Sequence, residues 1–224
     1  MALHRNMGRA SYSPSTAHPE LLPDIAVLRR LTQSLAMLDA IIYPDWQYRN
    51  YSFKSQWGAD DQMASMRNAS GDDWFLLFDC HGAAIKGFAH ESSLAADVSF
   101  PARMQTLVPP IFKGFLQEEA FSMDRATFCL WRRNDDPAWS VVSRQGSPVS
   151  SHFDGSEELL RILDGNPETY REWAEGYYER SIPLAPIRAI YAHEPLGEHL
   201  VSALNSSLSL ADVNADAIEI GYPG

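Results

Sequence analysis

The spacing of apolar residues predicts a long helix near the start of the chain. Leucines and isoleucines recur at three- and four-residue steps in "LPDIAVLRRLTQSLAMLDAIIYP" (22–44), which places them on one face of a helix. Asp24 can cap the beginning of this helix and Pro44 can end it. The next segment, "YRNYSFKSQW" (48–57), alternates instead and predicts a strand with one buried face.

Four further strands follow from apolar runs separated by turn residues. The stretch "DDWFLLFDCHGAAIKGFA" (72–89) predicts a hairpin that reverses at Asp79–Gly82. Its first strand is apolar on both faces, so we expect it to be covered on both sides. "ATFCLWRR" (126–133) and "AWSVVS" (138–143) predict two more strands around a polar turn. The segment 58–71, in contrast, is interpreted as a loop or short helix.

The last third of the chain changes character. A connection over 144–156 leads to helices predicted in 156–165 and 166–180, with Asn166 as cap and Pro167 in the first turn, and then to three shorter helices. We therefore expect an α+β fold, in which an antiparallel sheet of about five strands is packed by an N-terminal helix and followed by an acidic, mostly helical C-terminal part. The predicted organisation is a flexible tail (1–22), a sheet domain (23–150) and a helical part (151–224) packed on the same domain.

The net negative charge of the chain limits the classes of partner that we expect. The 224 residues carry a net charge of −11, and residues 154–224 hold 13 Asp and Glu against four Lys and Arg. Nucleic acids and anionic membranes need cationic surface, so neither is an expected partner. The longest apolar runs fall short of the roughly 18 residues of a membrane span. Two cysteines without a secretory signal favour the cytoplasm.

The acidic residues of the helical part are the candidate binding residues. Glutamates at three- and four-residue steps in 166–180 share one face of a helix or adjoining faces, and such like charges repel each other. A basic partner would offset that repulsion, and so would a solvated surface with Arg171 nearby. The candidate partner-binding residues are Glu157, Glu158, Glu168, Glu172, Glu175 and Glu179.

Few other residues in the sequence are candidates for a catalytic or metal-binding site. His90 and Glu91 could supply an acid–base pair near a predicted strand end or could serve as capping or loop residues, and Cys80 and His81 lie at the hairpin tip. Eight or more residues of extended strand span roughly 25 Å, so the two pairs cannot share one metal ion within the hairpin. The sequence has no motif for a metal or cofactor, and we expect neither.

Several segments resemble a group of uncharacterised bacterial proteins. The resemblance rests on "YSFKSQW", "QMASMRNASGDDWFLLFDCHGAAIKGFAHES", "DGSEELLRILDGNPETYREWAEGYYE" and "IEIGYP", and it spans roughly residues 25–222. It implies a bacterial, stand-alone, soluble protein, and it implies no activity and no catalytic residues.

Two hypotheses of function follow. The first is a non-enzymatic protein-binding module, similar to an immunity protein or antitoxin, that masks a basic partner by charge complementarity. The alternative is a small hydrolase or metal-assisted enzyme with a site around His90 and Glu91. A third titratable group within hydrogen-bond reach of this pair, in a cleft, would favour the alternative.

Overall fold

The computed structural model describes residues 12–143 and 151–224. Its first long element is helix α1 (Ile25–Ile42), whose N-cap Asp24 accepts a hydrogen bond from the backbone N–H of Val27. The predicted apolar stripe is buried along its whole length, and Pro44 follows two residues after the helix ends. The predicted N-terminal helix and its cap are confirmed.

The sheet is an antiparallel meander of six strands in chain order, so each strand pairs with its sequence neighbours. The strands are β1 (Tyr51–Lys54), β2 (Gln62–Arg67), β3 (Asp73–Phe78), β4 (Gly82–Phe88), β5 (Phe128–Arg133) and β6 (Ser140–Val141). The interpretation of 58–71 as a loop or short helix was wrong, because β2 occupies its middle. Paired on both sides, β2 is held by neighbouring strands, although its small and polar residues give it a weak strand pattern.

The hairpin of β3 and β4 turns as predicted. Asp79 accepts hydrogen bonds from the backbone N–H groups of His81 and Gly82. A Cβ atom at Gly82 would lie 2.1 Å from the carbonyl oxygen of Arg132 on the neighbouring strand. The close approach of β5 therefore requires glycine at this position.

Hydrophobic clusters cover both faces of the sheet. Alternate residues of β3 point to opposite sides, so Trp74 and Leu76 join one cluster while Phe75 and Leu77 join the other. The first cluster also contains buried residues of α1 and of the helices from residue 156 onwards. The second contains α2 (Phe100–Leu107) and α3 (Lys113–Leu116). The predicted burial of β3 on both faces is confirmed.

In the described chain after residue 150, the helical part consists of six α-helices and one 3-10 helix, Arg161–Asp164. The α-helices are α4 (Ser151–Asp154), α5 (Ser156–Leu159), α6 (Pro167–Tyr178), α7 (Leu184–Tyr191), α8 (Glu198–Leu204) and α9 (Leu210–Ile220). Asn166 caps α6 as predicted, by accepting a hydrogen bond from the N–H of Glu168. Residues 144–150 of the predicted connection lie outside the described residues. The expected α+β class, with a helix on an antiparallel sheet, is confirmed.

Part of the predicted tail contacts the body of the protein. Residues 1–11 lie outside the described residues, and 12–22 include a short 3-10 turn, Pro19–Leu21. The backbone N–H of Thr16 donates to the hydroxyl of Ser156, 3.0 Å away, and Thr16 is buried. The flexibility of residues 1–22 stays a prediction, but their second half packs on the start of the helical part.

Candidate functional site

A concave groove separates the sheet from helices α5 and α6, and we call it the α5–α6 groove. Its volume is about 340 Å³, near the lower end of the roughly 300–1,000 Å³ typical of ligand pockets. Its apolar lining is contributed by Tyr51, Met66, Leu159, Ile162 and Trp173. The sheet thus supplies one wall and the acidic helical part the other.

Aromatic rings form the wall between α6 and β1. The ring of Trp173 meets that of Tyr51 edge-on, with centroids 4.9 Å apart, and stacks on Tyr177 at 5.4 Å. Tyr51 is buried and Trp173 half-buried, so both rings are held by the core while part of Trp173 faces the groove. Trp173 was not among the candidate site residues predicted from the sequence, and the structure makes it part of the groove wall.

Asp39 holds this wall from inside the protein. Its Oδ2 accepts hydrogen bonds from the backbone N–H groups of Asn50 and Tyr51, both at 2.9 Å, and its Oδ1 accepts one from the Tyr170 hydroxyl at 2.8 Å. Burial raises the pKa of Asp39 to about 6, against the opposing effect of these hydrogen bonds. One carboxylate therefore ties α1 to the first residues of β1 and to α6.

The polar lining of the groove combines amides, a hydroxyl and charged groups. Asn50, Asn68 and Thr169 line the groove together with the charged residues Glu158, Arg161 and Glu172. Asn50 is 5% exposed, and its side chain lies beside the hydroxyl of Tyr178. Two carboxylates and one guanidinium therefore give the groove its charge.

The six candidate glutamates do not form one surface. Glu158 and Glu172 both line the groove, and Glu157 is exposed beside Glu158 in the first turn of α5. Glu179 follows the end of α6, in the left-handed backbone conformation.

The remaining two glutamates have partners inside the protein. Glu168 pairs with Arg188 of α7, and the Oε1 of Glu175 accepts a hydrogen bond from the N–H of Ile182 at 2.9 Å. The hydrogen bond from Arg188 lowers the pKa of Glu168. Internal contacts therefore offset part of the repulsion between these glutamates. From the sequence, only a basic partner or a solvated surface was expected to offset it.

A second groove runs past β1 and differs in charge. Its volume is about 670 Å³, and Trp46, which is 80% exposed, is among its lining residues. Its charged lining residues are Arg49, Lys54, Arg67, Asp216 and Glu219. Because cations outnumber carboxylates there, this groove suits a basic partner less well than the α5–α6 groove does.

His90 and Glu91 lie at the end of β4 with a third carboxylate beside them. The Nδ1 of His90 is 2.8 Å from the Oδ1 of Asp72, and its Nε2 is 3.8 Å from Glu91. Burial alone would raise the pKa of Asp72, but hydrogen bonds from Asn68 and His90 outweigh it and lower that pKa. Asp72 was not singled out in the sequence, although it precedes the strand that pairs with β4.

The geometry around His90 could orient an imidazole for proton transfer, because the Asp72 carboxylate holds Nδ1 while Nε2 is 3.8 Å from Glu91. Among the described residues, neither groove is lined by His90 or Glu91. Cys80 and His81 are exposed at the opposite end of β4, as the hairpin predicted. Within residues 12–143 and 151–224, no group of three or more His, Cys, Asp or Glu is placed to hold a metal ion.

The comparisons with known proteins give no relative. No protein-family model matches the chain, and no curated protein and no solved structure matches it. The resemblance to uncharacterised bacterial proteins therefore stays a prediction. In the part of the chain that the structure describes, none of the helices has the length and apolar character that crossing a membrane would require.

Proposed function

We propose that this protein is a non-enzymatic protein-binding module that masks a basic partner, in the manner of an immunity protein or antitoxin. The observation that carries the proposal is the α5–α6 groove, in which Glu158 and Glu172 flank an aromatic and aliphatic surface. Interfaces combine such a desolvated apolar centre with a charged rim. Such a surface would give a partner both affinity and orientation.

The charge around the groove supports a basic partner. Residues 156–180 hold seven Asp and Glu against three Arg, a net charge of −4 on a chain of −11. A cluster of one sign speeds the approach of an oppositely charged protein and makes association sensitive to salt. The contact residues that we propose are Glu158 and Glu172, which both line the groove.

The test compares two variants of equal charge. Tagged wild-type protein is used to isolate partners from a lysate of the organism that encodes it, at low and at high salt. The purified partner is then titrated against wild type, against E158Q/E172Q and against E119Q/D135N. Glu119 and Asp135 are exposed and outside both grooves, so the second variant is a matched control for net charge.

We expect a basic partner that high salt releases. E158Q/E172Q should weaken its binding about tenfold or more, and E119Q/D135N about twofold or less, because screened charges remote from a contact act on association alone. Equal losses in the two variants would contradict the proposal, because the groove is its contact surface. Salt-insensitive binding, or a partner with no basic surface, would contradict the proposal.

A second candidate function rests on the Asp72–His90 contact. In this alternative, the protein is a small hydrolase or metal-assisted enzyme in which His90 acts as general base and Glu91 assists. Hydrolysis of ester and phosphoester panels is compared between wild type, H90Q and H81Q. Activity that falls at least about a hundredfold in H90Q and persists in H81Q would support an enzyme, since general base catalysis contributes about 10²–10⁴. Activity that both variants retain would exclude His90.

A further inference from the structure

We infer that the α5–α6 groove binds an arginine-bearing peptide segment of the partner, with the guanidinium between Glu158 and Glu172. The inference rests on the proposed function and specifies the chemistry of its contact. It is carried by two features of the groove, namely its carboxylates and its aromatic wall.

The carboxylates at the groove are available to an incoming cation. Glu172 is 3.6 Å from Arg161, and both side chains are more than half exposed. Exposed pairs of this kind are weak, because solvent screens them and two long side chains must be held in place. A partner guanidinium can therefore displace Arg161 and bind Glu172 together with Glu158, in the two-pronged geometry that arginine makes with carboxylates.

The aromatic wall favours arginine over lysine. Trp173 and Tyr51 present ring surface beside the carboxylates, and a planar guanidinium stacks on such rings more readily than a strongly hydrated ammonium. Met66 and Ile162 offer apolar contact to the aliphatic part of the side chain.

The proposed function supplies the argument for a peptide rather than a free cation. The partner is a protein, so the arginine that enters the groove is carried by a segment of its chain.

The probe is N-acetyl-arginine N′-methylamide, a single arginine with a peptide group on each side. Binding is followed by the indole N–H signal of Trp173 in two-dimensional NMR, assigned with W173F. The matched probes are the citrulline analogue, which keeps the shape and lacks the charge, and the lysine analogue, which keeps the charge and lacks the planar guanidinium.

We expect saturable shifts of the Trp173 signal in the millimolar range with the arginine probe. Affinity should fall at least about tenfold for the citrulline analogue, and a few-fold for the lysine analogue. E158Q/E172Q should abolish the saturable shift, and E119Q/D135N should retain it. Equal affinity for arginine and citrulline probes, or a shift that persists in E158Q/E172Q, would overturn the inference.

The arginine-probe titration and the partner titration test different claims, so either can fail while the other succeeds. If a basic partner depends on Glu158 and Glu172 but the arginine probe leaves Trp173 unshifted, the inference is wrong and the proposed function stands. If the probe binds as expected while the isolated partner is insensitive to E158Q/E172Q, the proposed function is wrong and the groove remains an arginine site.

Discussion

The Oδ1 of Asp39 and the hydroxyl of Tyr170 are 2.8 Å apart, and this hydrogen bond joins α1 to α6 in the core. The second oxygen of the same carboxylate holds the backbone at the start of β1. Helix, strand and groove wall therefore meet at one buried acid. The position of Trp173 relative to Tyr51 depends on this contact, since Tyr170 and Trp173 lie on the same helix.

Stability should depend on pH through Asp39. Its pKa is about 6 in the folded protein against about 3.9 in an unfolded chain, so the folded state binds the proton more tightly. This contribution to stability is complete below about pH 4, is lost as the pH rises to about 6, and amounts to about 3 kcal/mol.

The measurement is urea unfolding of wild type and D39N across pH 4 to 7. Other titrating groups cancel in the difference between the two proteins. We expect the unfolding free energy of wild type to fall relative to D39N as the pH rises, and to level off above about pH 6. A difference that is independent of pH would show that Asp39 does not change its protonation there.

Two tyrosine-to-phenylalanine substitutions should differ in their effect on stability. Y170F removes the donor to Asp39 and should lower the unfolding free energy by about 1–3 kcal/mol, because a buried acceptor loses its partner. Tyr191 provides the control, since its buried hydroxyl has no hydrogen-bond partner within the described residues. Y191F should therefore change stability by less than about 0.5 kcal/mol. Similar losses in both variants would mean that ring packing, rather than the hydrogen bond, accounts for the effect.

Lys86 should contribute to stability through its ion pair with Asp73, on the face of the sheet opposite Asp39. Its side chain is fully buried, and its Nζ donates to the Oδ1 of Asp73 at 2.7 Å and to the carbonyl oxygen of Arg125 at 3.0 Å. K86M should lower the unfolding free energy by about 3 kcal/mol, because Asp73 loses its partner in a largely buried position.

Two controls separate this pair from the loss of any lysine. K86M/D73N should recover part of the lost stability, and K113M, at an exposed position, should change it by less than about 0.5 kcal/mol. Chemical unfolding measures all three variants. If the double variant is less stable than K86M, the contact between Asp73 and Lys86 is not what makes the single substitution costly.

The sequence predicts the elements with strong periodicity and misses those defined by their neighbours. Helix α1 and the β3–β4 hairpin were readable because long apolar runs ended at Pro44 and turned at Gly82. Strand β2 was not, since Ala64 and Ser65 carry little pattern and are buried by β1 and β3. Six strands formed where about five were expected.

The candidate site was predictable in its charge but not in its shape. Glu158 and Glu172 could be named from the sequence, whereas the wall opposite them comes from Tyr51, more than 100 residues away. A signal for Asp39 was present, because it lies four residues after Leu35 on the buried face of α1. A carboxylate at such a position needs internal partners, but the sequence does not say which.

Two of the three glutamates of α6, Glu172 and Glu175, should separate binding from stability. Glu175 accepts a hydrogen bond from the N–H of buried Ile182, so E175A should lower the unfolding free energy by about 1–3 kcal/mol. Glu172 makes an exposed contact with Arg161, so E172A should change stability by less than about 0.5 kcal/mol.

Binding should show the opposite order. E172A removes a carboxylate from the groove and should lower the affinity for the partner at least a few-fold. Folded E175A should bind the partner with an affinity close to that of wild type. Both substitutions replace glutamate by alanine on the same helix, so helix propensity and net charge are matched. Unfolding and affinity measured on the same preparations test the division. If E172A destabilises and E175A weakens binding, the contact surface lies on the Glu175 side of α6 instead of in the groove.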